Sequence, residues 1–299
     1  MLAVISQVTL QTPAKVNLVL EVLGERPDGF HELSLVFQAI GLFDKMEFIR
    51  GGNGLRVEIL ESPSPLAVDD SNLVVKAAKL FLKEVLKGEA DILIRLRKKI
   101  PLAAGLGGGS SDAAATLIGL NLVFNAMTAH EVLESLAAQL GSDVPFFLHG
   151  GTAMGTGRGE IITPWEPAAG LSLVLVKPEK GLSTPAVYRS GKAQISTGER
   201  ARGLKGVLHE KNLQIIASSL FNSLQPATCF LMPEVEEIRK ELVQAGALGA
   251  LVSGSGPTVF AIVENKFAAK KISAQITRES RMVLVTQTIA TGVQVLEKK

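Results

Sequence analysis

One stretch limits the possible folds more than any other: Pro101-Leu102-Ala103-Ala104-Gly105-Leu106-Gly107-Gly108-Gly109-Ser110-Ser111, which leaves an alternating apolar run and enters an Ala- and Leu-rich one. Upstream, Ile92, Ile94 and Leu96 fall on one side of a period-two pattern over residues 91–97, which predicts a half-buried strand. Downstream, residues 110–124 predict a helix. The chain must pass from strand to helix through a loop in which four of the five positions 105–109 are glycine. Such a backbone bends tightly and leaves no side chain between its N–H groups and an anion. The free N–H groups and positive dipole end of the following helix would face the same anion.

Two familiar phosphate motifs do not account for the run. A Walker A loop ends Gly-Lys-Ser/Thr, and Gly109-Ser110-Ser111 contains no lysine. A dinucleotide fingerprint would want a third glycine where Ser110 stands. On these residues alone, a glycine-rich turn that serves only close helix packing stays open as an alternative.

At 299 residues the chain has room for two ordinary domains. Its 31 basic residues against 29 acidic ones leave a net charge of +2, which argues against a nucleic-acid partner held mainly by charge. Cys229 is the single cysteine, so an internal disulfide is excluded and a buried core role is expected for it. His31, His130, His149 and His209 show no metal-ligand spacing, which argues against a zinc enzyme. No apolar run reaches membrane-spanning length, and the first basic residue is Lys15, unlike a secretory or transit leader. A cytoplasmic chain with no membrane partner is the expectation.

Strands are expected over residues 4–10 and 16–23, with Glu25-Arg26-Pro27-Asp28-Gly29 as a turn. Gly51-Gly52-Asn53-Gly54 signals a second hairpin within residues 48–60, and Asp70-Ser71-Asn72 caps a helix. A further helix over residues 129–140 stops at Gly141, placing Asp143 in the loop that follows. The second half predicts a strand over 171–176, helices over 212–224, 234–244 and 266–278, and strands over 258–263 and 282–288. Residues 191–206 are expected to be a mobile surface loop. The mixture points to a layered α+β fold, and the chain contains no internal repeat or low-complexity tract.

Two more runs stand beside the glycine loop: Pro13-Ala14-Lys15-Val16-Asn17-Leu18 and Ser253-Gly254-Ser255-Gly256-Pro257-Thr258. Each alone is a weak signal, since Lys15 could simply mark a sheet edge and the second run a loop. Together and in this order they resemble the three motifs of the kinases named after galactokinase, homoserine kinase, mevalonate kinase and phosphomevalonate kinase. Gly24-Glu25-Arg26-Pro27-Asp28-Gly29-Phe30-His31-Glu32-Leu33 and Gly141-Ser142-Asp143-Val144-Pro145-Phe146 narrow the resemblance to the branch acting on 4-diphosphocytidyl-2-C-methyl-D-erythritol. The match runs from about residue 9 to the end. One departure is Phe30, where that branch usually carries tyrosine.

The resemblance implies a two-domain α+β kinase, with an N-terminal ribosomal-protein-S5-domain-2-like domain over residues 1–160 and a C-terminal ferredoxin-like domain over 161–299 completing the substrate cleft. It implies ATP as phosphate donor and the 2-hydroxyl of a cytidine diphosphate alcohol as acceptor, in the non-mevalonate route to isoprenoid precursors. ATP would lie on Pro101, Leu102, Ala103, Ala104, Gly105, Leu106, Gly107, Gly108, Gly109, Ser110 and Ser111, with Asn72 and Lys98 near the adenine. Lys15 and Asp143 match the catalytic pair, a carboxylate to take the hydroxyl proton and an ammonium that favours its ionised form. Phe30 and Tyr188 match the aromatics that sandwich the cytosine. His31 would bond the base edge, and Asn17 and Thr184 would help hold the substrate. Mg²⁺ is expected with the triphosphate, with Ser111 as a ligand. The rivals are a sister kinase acting on mevalonate, phosphomevalonate or homoserine, and a non-catalytic nucleotide sensor on the same fold.

Overall fold

A hairpin far longer than the sequence pattern predicts organises the first half of the molecule. The computed structural model describes residues 5–299, so the expected start of the first strand at Val4 lies outside the described residues. Strands β1 (Gln7–Glu25) and β2 (His31–Arg50) run for 19 and 20 residues and pair antiparallel throughout. The two short strands expected over 4–10 and 16–23 are therefore one. Pro13 interrupts the propensity pattern but not the strand, because the pairing register shifts between Pro13 and Ala14 and the bulge absorbs it.

The second hairpin expectation is also corrected. Strand β3 (Leu55–Glu61) does not pair with β2 but lies parallel to β4 (Ile92–Arg97), and β4 takes the place beside β2. Parallel neighbours need a crossover, supplied by α1 (Leu73–Phe81) and a π-helical turn at Leu82–Leu86. Asn72 caps α1 as expected, its side chain accepting from the Val74 N–H at 2.9 Å. Ile92, Ile94 and Leu96 are all buried, each contributing about 1.5–3 kcal/mol of apolar burial to the core.

Helices α2 (Gly108–Val123), α3 (His130–Leu140) and α4 (Val144–His149) then cover one face of this sheet, followed by β5 (Thr152–Gly157) and β6 (Ile161–Trp165). Helix α2 packs closely on β2: a Cβ on Gly119 would stand 2.3 Å from the Phe48 ring. The chain continues through β7 (Ser172–Pro178), α5 (Thr184–Arg189), α6 (Glu199–Glu210), α7 (Leu213–Ser218), β8 (Phe221–Asn222), α8 (Gln225–Leu231) and α9 (Glu234–Gln244). It ends with β9 (Gly249–Val252), β10 (Val259–Val263), α10 (Lys266–Ile276), β11 (Arg281–Gln287) and β12 (Gln294–Lys298).

Two sheets result. The four-stranded one has the order β11-β7-β10-β9, all antiparallel, with helices before β9 and before β11; this is the ferredoxin-like βαββαβ arrangement. The eight-stranded one has the order β12-β1-β2-β4-β3 and takes in β5, β6 and β8 as well. Strand β1 is buried on both faces. Ala14, Val16 and Leu18 pack with Leu173, Leu175, Phe260 and Ile262 of the smaller sheet in one apolar cluster, so the two layers share a core.

Two expectations for the second half fail for physical reasons. The predicted helix over 212–224 stops at Ser218, because Phe221–Asn222 leaves it to pair in parallel with Val19 and Leu20 of β1. The buried Asn222 amide donates to the carbonyls of Val252 and Gly254 at 2.8 and 2.7 Å. Residues 191–206 are not a loose loop. The Ser196 N–H donates to the Val22 carbonyl, and residues from Glu199 onward form α6. The cap of α6 is remote: Glu21 of β1, fully buried, accepts from Ser196 Oγ at 2.6 Å and from the N–H groups of Gly198 and Ala201 at 3.2 and 2.9 Å.

Candidate active site

Strand β1, the head of α2 and the turn before α4 meet around a cleft of about 700 Å³. Register shifts flank Lys15 and Asn17, at Pro13/Ala14 and Asn17/Val19, and such bulges re-aim side chains. Two apart on one strand, the two residues share a face, and Lys15 Nζ donates to Asn17 Oδ1 at 2.7 Å. Lys15 is nearly fully buried, and its ammonium lies 3.2 Å from Asp143 Oδ2. Asp143 occupies the cap position of α4, yet its side chain makes no capping hydrogen bond. A turn residue serving only the helix end would spend its carboxylate on those N–H groups. Here the carboxylate is left to Lys15 and the cleft.

The glycine run closes over this pair. The Lys15 N–H donates to the Leu106 carbonyl at 3.0 Å, stitching the loop to β1. Gly105 has φ +73°, and a Cβ there would stand 2.1 Å from the Ser253 carbonyl oxygen. Ser253 Oγ in turn donates to the Gly105 carbonyl at 2.9 Å. The Ser253–Thr258 motif is thus the brace of the loop. Gly107 and Gly108 are also tight, their Cβ positions falling 2.8 Å from Phe147 and 2.7 Å from Ile100. Gly109 is open, with nothing nearer than Leu73 at 3.5 Å. The packing reading holds at glycines 105, 107 and 108, which allow close approach, while every residue from Pro101 to Ser110 also lines the cleft.

Lys15, Asn17, Phe30, His31, Asp143, Thr184 and Tyr188 all line the same cleft. The turn that presents Phe30 closes on itself, with Asp28 bonded to the Arg26 guanidinium and to the Phe30 N–H at 3.1 Å. Those bonds, Arg26 first, hold the Asp28 carboxyl below its ordinary range. Phe30 is half exposed, and the Arg158 guanidinium stands 4.7 Å over its ring. His31 and Tyr188 lie with ring centroids 4.8 Å apart. Burial, reinforced by the Asp143 charge, pushes the Tyr188 phenol well above its ordinary value. Thr184 Oγ1 and Ser255 Oγ share a hydrogen bond at 2.8 Å, joining α5 to the brace loop.

Three expected site residues lie outside the cleft lining, each occupied elsewhere. Ser111 is fully buried, its hydroxyl bonded to the Pro13 carbonyl at 2.5 Å and to Thr12. Asn72 caps α1 and donates to the Ala67 carbonyl at 2.7 Å. Lys98 is buried between Asp44 and Asp112 at 2.6 and 2.7 Å. Burial lowers the Lys98 pKa, but the two carboxylates outweigh it and hold the group above its ordinary value, while burial raises that of Asp112. Asp44 also accepts from the N–H groups of Lys99 and Ile100 at 2.5 and 2.8 Å, so this cluster pins the approach to the glycine loop. The sequence reasoning missed Arg158 and Arg189, which add positive charge to the cleft. Arg158 was visible only as a turn residue, between Gly157 and Gly159.

Comparison with known proteins agrees with this geometry. Residues 72–151 match the family described as GHMP kinases N terminal domain, and residues 205–280 match GHMP kinases C terminal. A 4-diphosphocytidyl-2-C-methyl-D-erythritol kinase of Pelotomaculum thermopropionicum is 45% identical over 285 residues, covering 94% of this chain and 98% of that protein. The enzyme of that name from Synechocystis is 39% identical over 96% of this chain and 98% of its own. A crystal structure of 4-(cytidine 5'-diphospho)-2C-methyl-D-erythritol kinase superposes with TM-score 0.77 at 31% identity, covering 94% of this chain and 98% of its own. A homoserine kinase from Cytophaga hutchinsonii superposes equally well, TM-score 0.78 over 99% of both chains, but at 22% identity, so it speaks for the fold alone. With both kinase domains matched in order and full-length relatives of one name at this identity, the chain belongs to the 4-diphosphocytidyl-2-C-methyl-D-erythritol kinase family of the GHMP kinases.

Proposed function

We propose that the chain transfers the γ-phosphoryl group of ATP to the 2-hydroxyl of 4-diphosphocytidyl-2-C-methyl-D-erythritol, releasing ADP, with Lys15 and Asp143 as the catalytic pair. The observation that carries this reading is the Lys15–Asp143 contact at 3.2 Å, in the same cleft as the head of α2. Phosphoryl transfer asks mainly for positioning and charge stabilisation. The Gly105–Ser110 backbone and the α2 dipole would cradle the phosphates. Asp143 takes the proton from the substrate hydroxyl as its oxygen bonds to the γ-phosphorus and the bond to the ADP oxygen breaks. Lys15 offsets the charge that builds on the reacting oxygens.

Substrate selection is assigned to Phe30, His31 and Tyr188, which line the cleft together with Asn17 and Thr184. An aromatic face supports any base, so hydrogen bonds from His31 would carry the preference for cytosine. Mg²⁺ would enter with the nucleotide as part of the substrate, and Ser110, which lines the cleft, would offer it a hydroxyl beside that of Ser111. Asn72 and Lys98 are assigned to framing the nucleotide end through α1 and the loop approach, not to contacting it. The two domains divide near residue 160, except that β6, β8 and β12 beyond it belong to the first sheet.

The test is ADP release from Mg-ATP with a panel of the cytidine diphosphate alcohol, mevalonate and homoserine. Turnover confined to the first is expected. Turnover of mevalonate or homoserine instead would move the chain to a sister activity, and ATP binding with no turnover of any alcohol would make it a sensor.

A further inference from the structure

His130 opens α3, and Glu134 follows one turn later, so both lie on one strip of that helix. His149 closes α4. The fold sets the end of α4 against the start of α3: His149 Nε2 stands 2.5 Å and His130 Nε2 3.5 Å from the same Glu134 oxygen. The three ligand atoms lie within 4.8 Å of one another, and the two imidazoles meet edge to face at 4.9 Å. None of the three residues lines the cleft.

Two imidazole nitrogens and one carboxylate oxygen form the donor set that zinc and its neighbours prefer. Two ligands bound to one tetrahedral zinc stand roughly 3.3 Å apart. The His130–Glu134 spacing already meets this, and a small rotation of the Glu134 carboxylate opens the shorter His149 contact. The His149 side chain is 19% exposed and that of His130 49%, so the site is held on one side and open to water on the other. Water would complete the coordination.

We propose that His130, Glu134 and His149 bind one divalent transition-metal ion of the zinc class, outside the active site. The ion clamps the end of α4 to the start of α3. Because Asp143 stands at the opposite end of α4, the clamp fixes the helix that presents the catalytic carboxylate.

Calorimetric titration of the full chain with zinc chloride, and visible spectra with cobalt chloride, test this without relying on turnover. One ion per chain is expected, with a cobalt absorption band and a melting temperature raised by roughly 4–6 °C at a hundredfold excess over Kd. His130→Asn, Glu134→Gln and His149→Asn should each weaken binding by about tenfold or more. His209→Asn, at an exposed histidine elsewhere, should leave it unchanged. If the double variant His130→Asn/His149→Asn binds as the wild type does, the site is not here. If the folded wild type takes up neither metal, the cluster is only a hydrogen-bonded helix contact. Because His130 is exposed, its single variant keeps the test valid should His149→Asn fold poorly.

Discussion

At the scale of single residues, Lys15 shows how much the fold decides about a common side chain. It stands in an apolar strand, nearly fully buried, with Asn17 and Asp143 within bonding reach. Burying an ammonium is costly unless it is paired, so the fold must hold those partners in place. Asp143→Asn keeps the shape of the side chain and removes the proton acceptor. Turnover should fall by about a hundredfold or more with ATP affinity roughly kept. Steady-state rates and nucleotide titration of that variant check this, and an unchanged rate would remove Asp143 from the mechanism. Lys15, Asn17 and Asp143 were legible as motif residues because each sits in a short run of fixed order. For Lys98 and Asn72 the sequence did not show the side-chain partners that the fold supplies, two buried carboxylates for the lysine and the α1 N-terminus for the asparagine.

At the scale of elements, α2 and α6 mark the two extremes of legibility. Everything that starts α2 is local: the glycines, the strand before it and the Ala-rich face within it. The start of α6 is not, since its capping acceptor is Glu21, 180 residues before the Ala201 N–H that donates to it. Residues 191–206 are rich in glycine and polar side chains, so that stretch by itself resembles a loop. Glu21→Ala should cost about 2–3 kcal/mol, because it strips a charged cap and leaves buried donors unpaired. Urea unfolding reads the loss. Hydrogen exchange should accelerate first in α6, and exchange there at the wild-type rate would show that Glu21 is not what holds it.

At the scale of the molecule, the shared core decides how the two halves behave. Chains with separate domains unfold in steps. Here Ala14, Val16 and Leu18 of β1 pack in one cluster with Leu173, Leu175, Phe260 and Ile262, and β12 returns from the far end of the chain to pair with β1. Thermal unfolding should therefore be a single transition, with calorimetric and van't Hoff enthalpies equal. Two resolved transitions would show that each half stands by its own core.

The glycine-rich turn from strand to helix, the short runs that hold Lys15 and Asp143, and the α+β class were readable in the chain, because each rests on short-range spacing: a glycine run between a period-two and a helical pattern, or a motif within six residues. What only the tertiary structure decided are relations between distant residues. It braced Gly105 with Ser253, capped α6 with Glu21, slipped β4 between β2 and β3, withdrew the Ser111 hydroxyl to Pro13, and brought His149 to His130 and Glu134. Spacing along the chain fixes distance only within an element. Between elements, distance is set by which apolar faces bury against each other, and that sum is settled over the whole molecule at once.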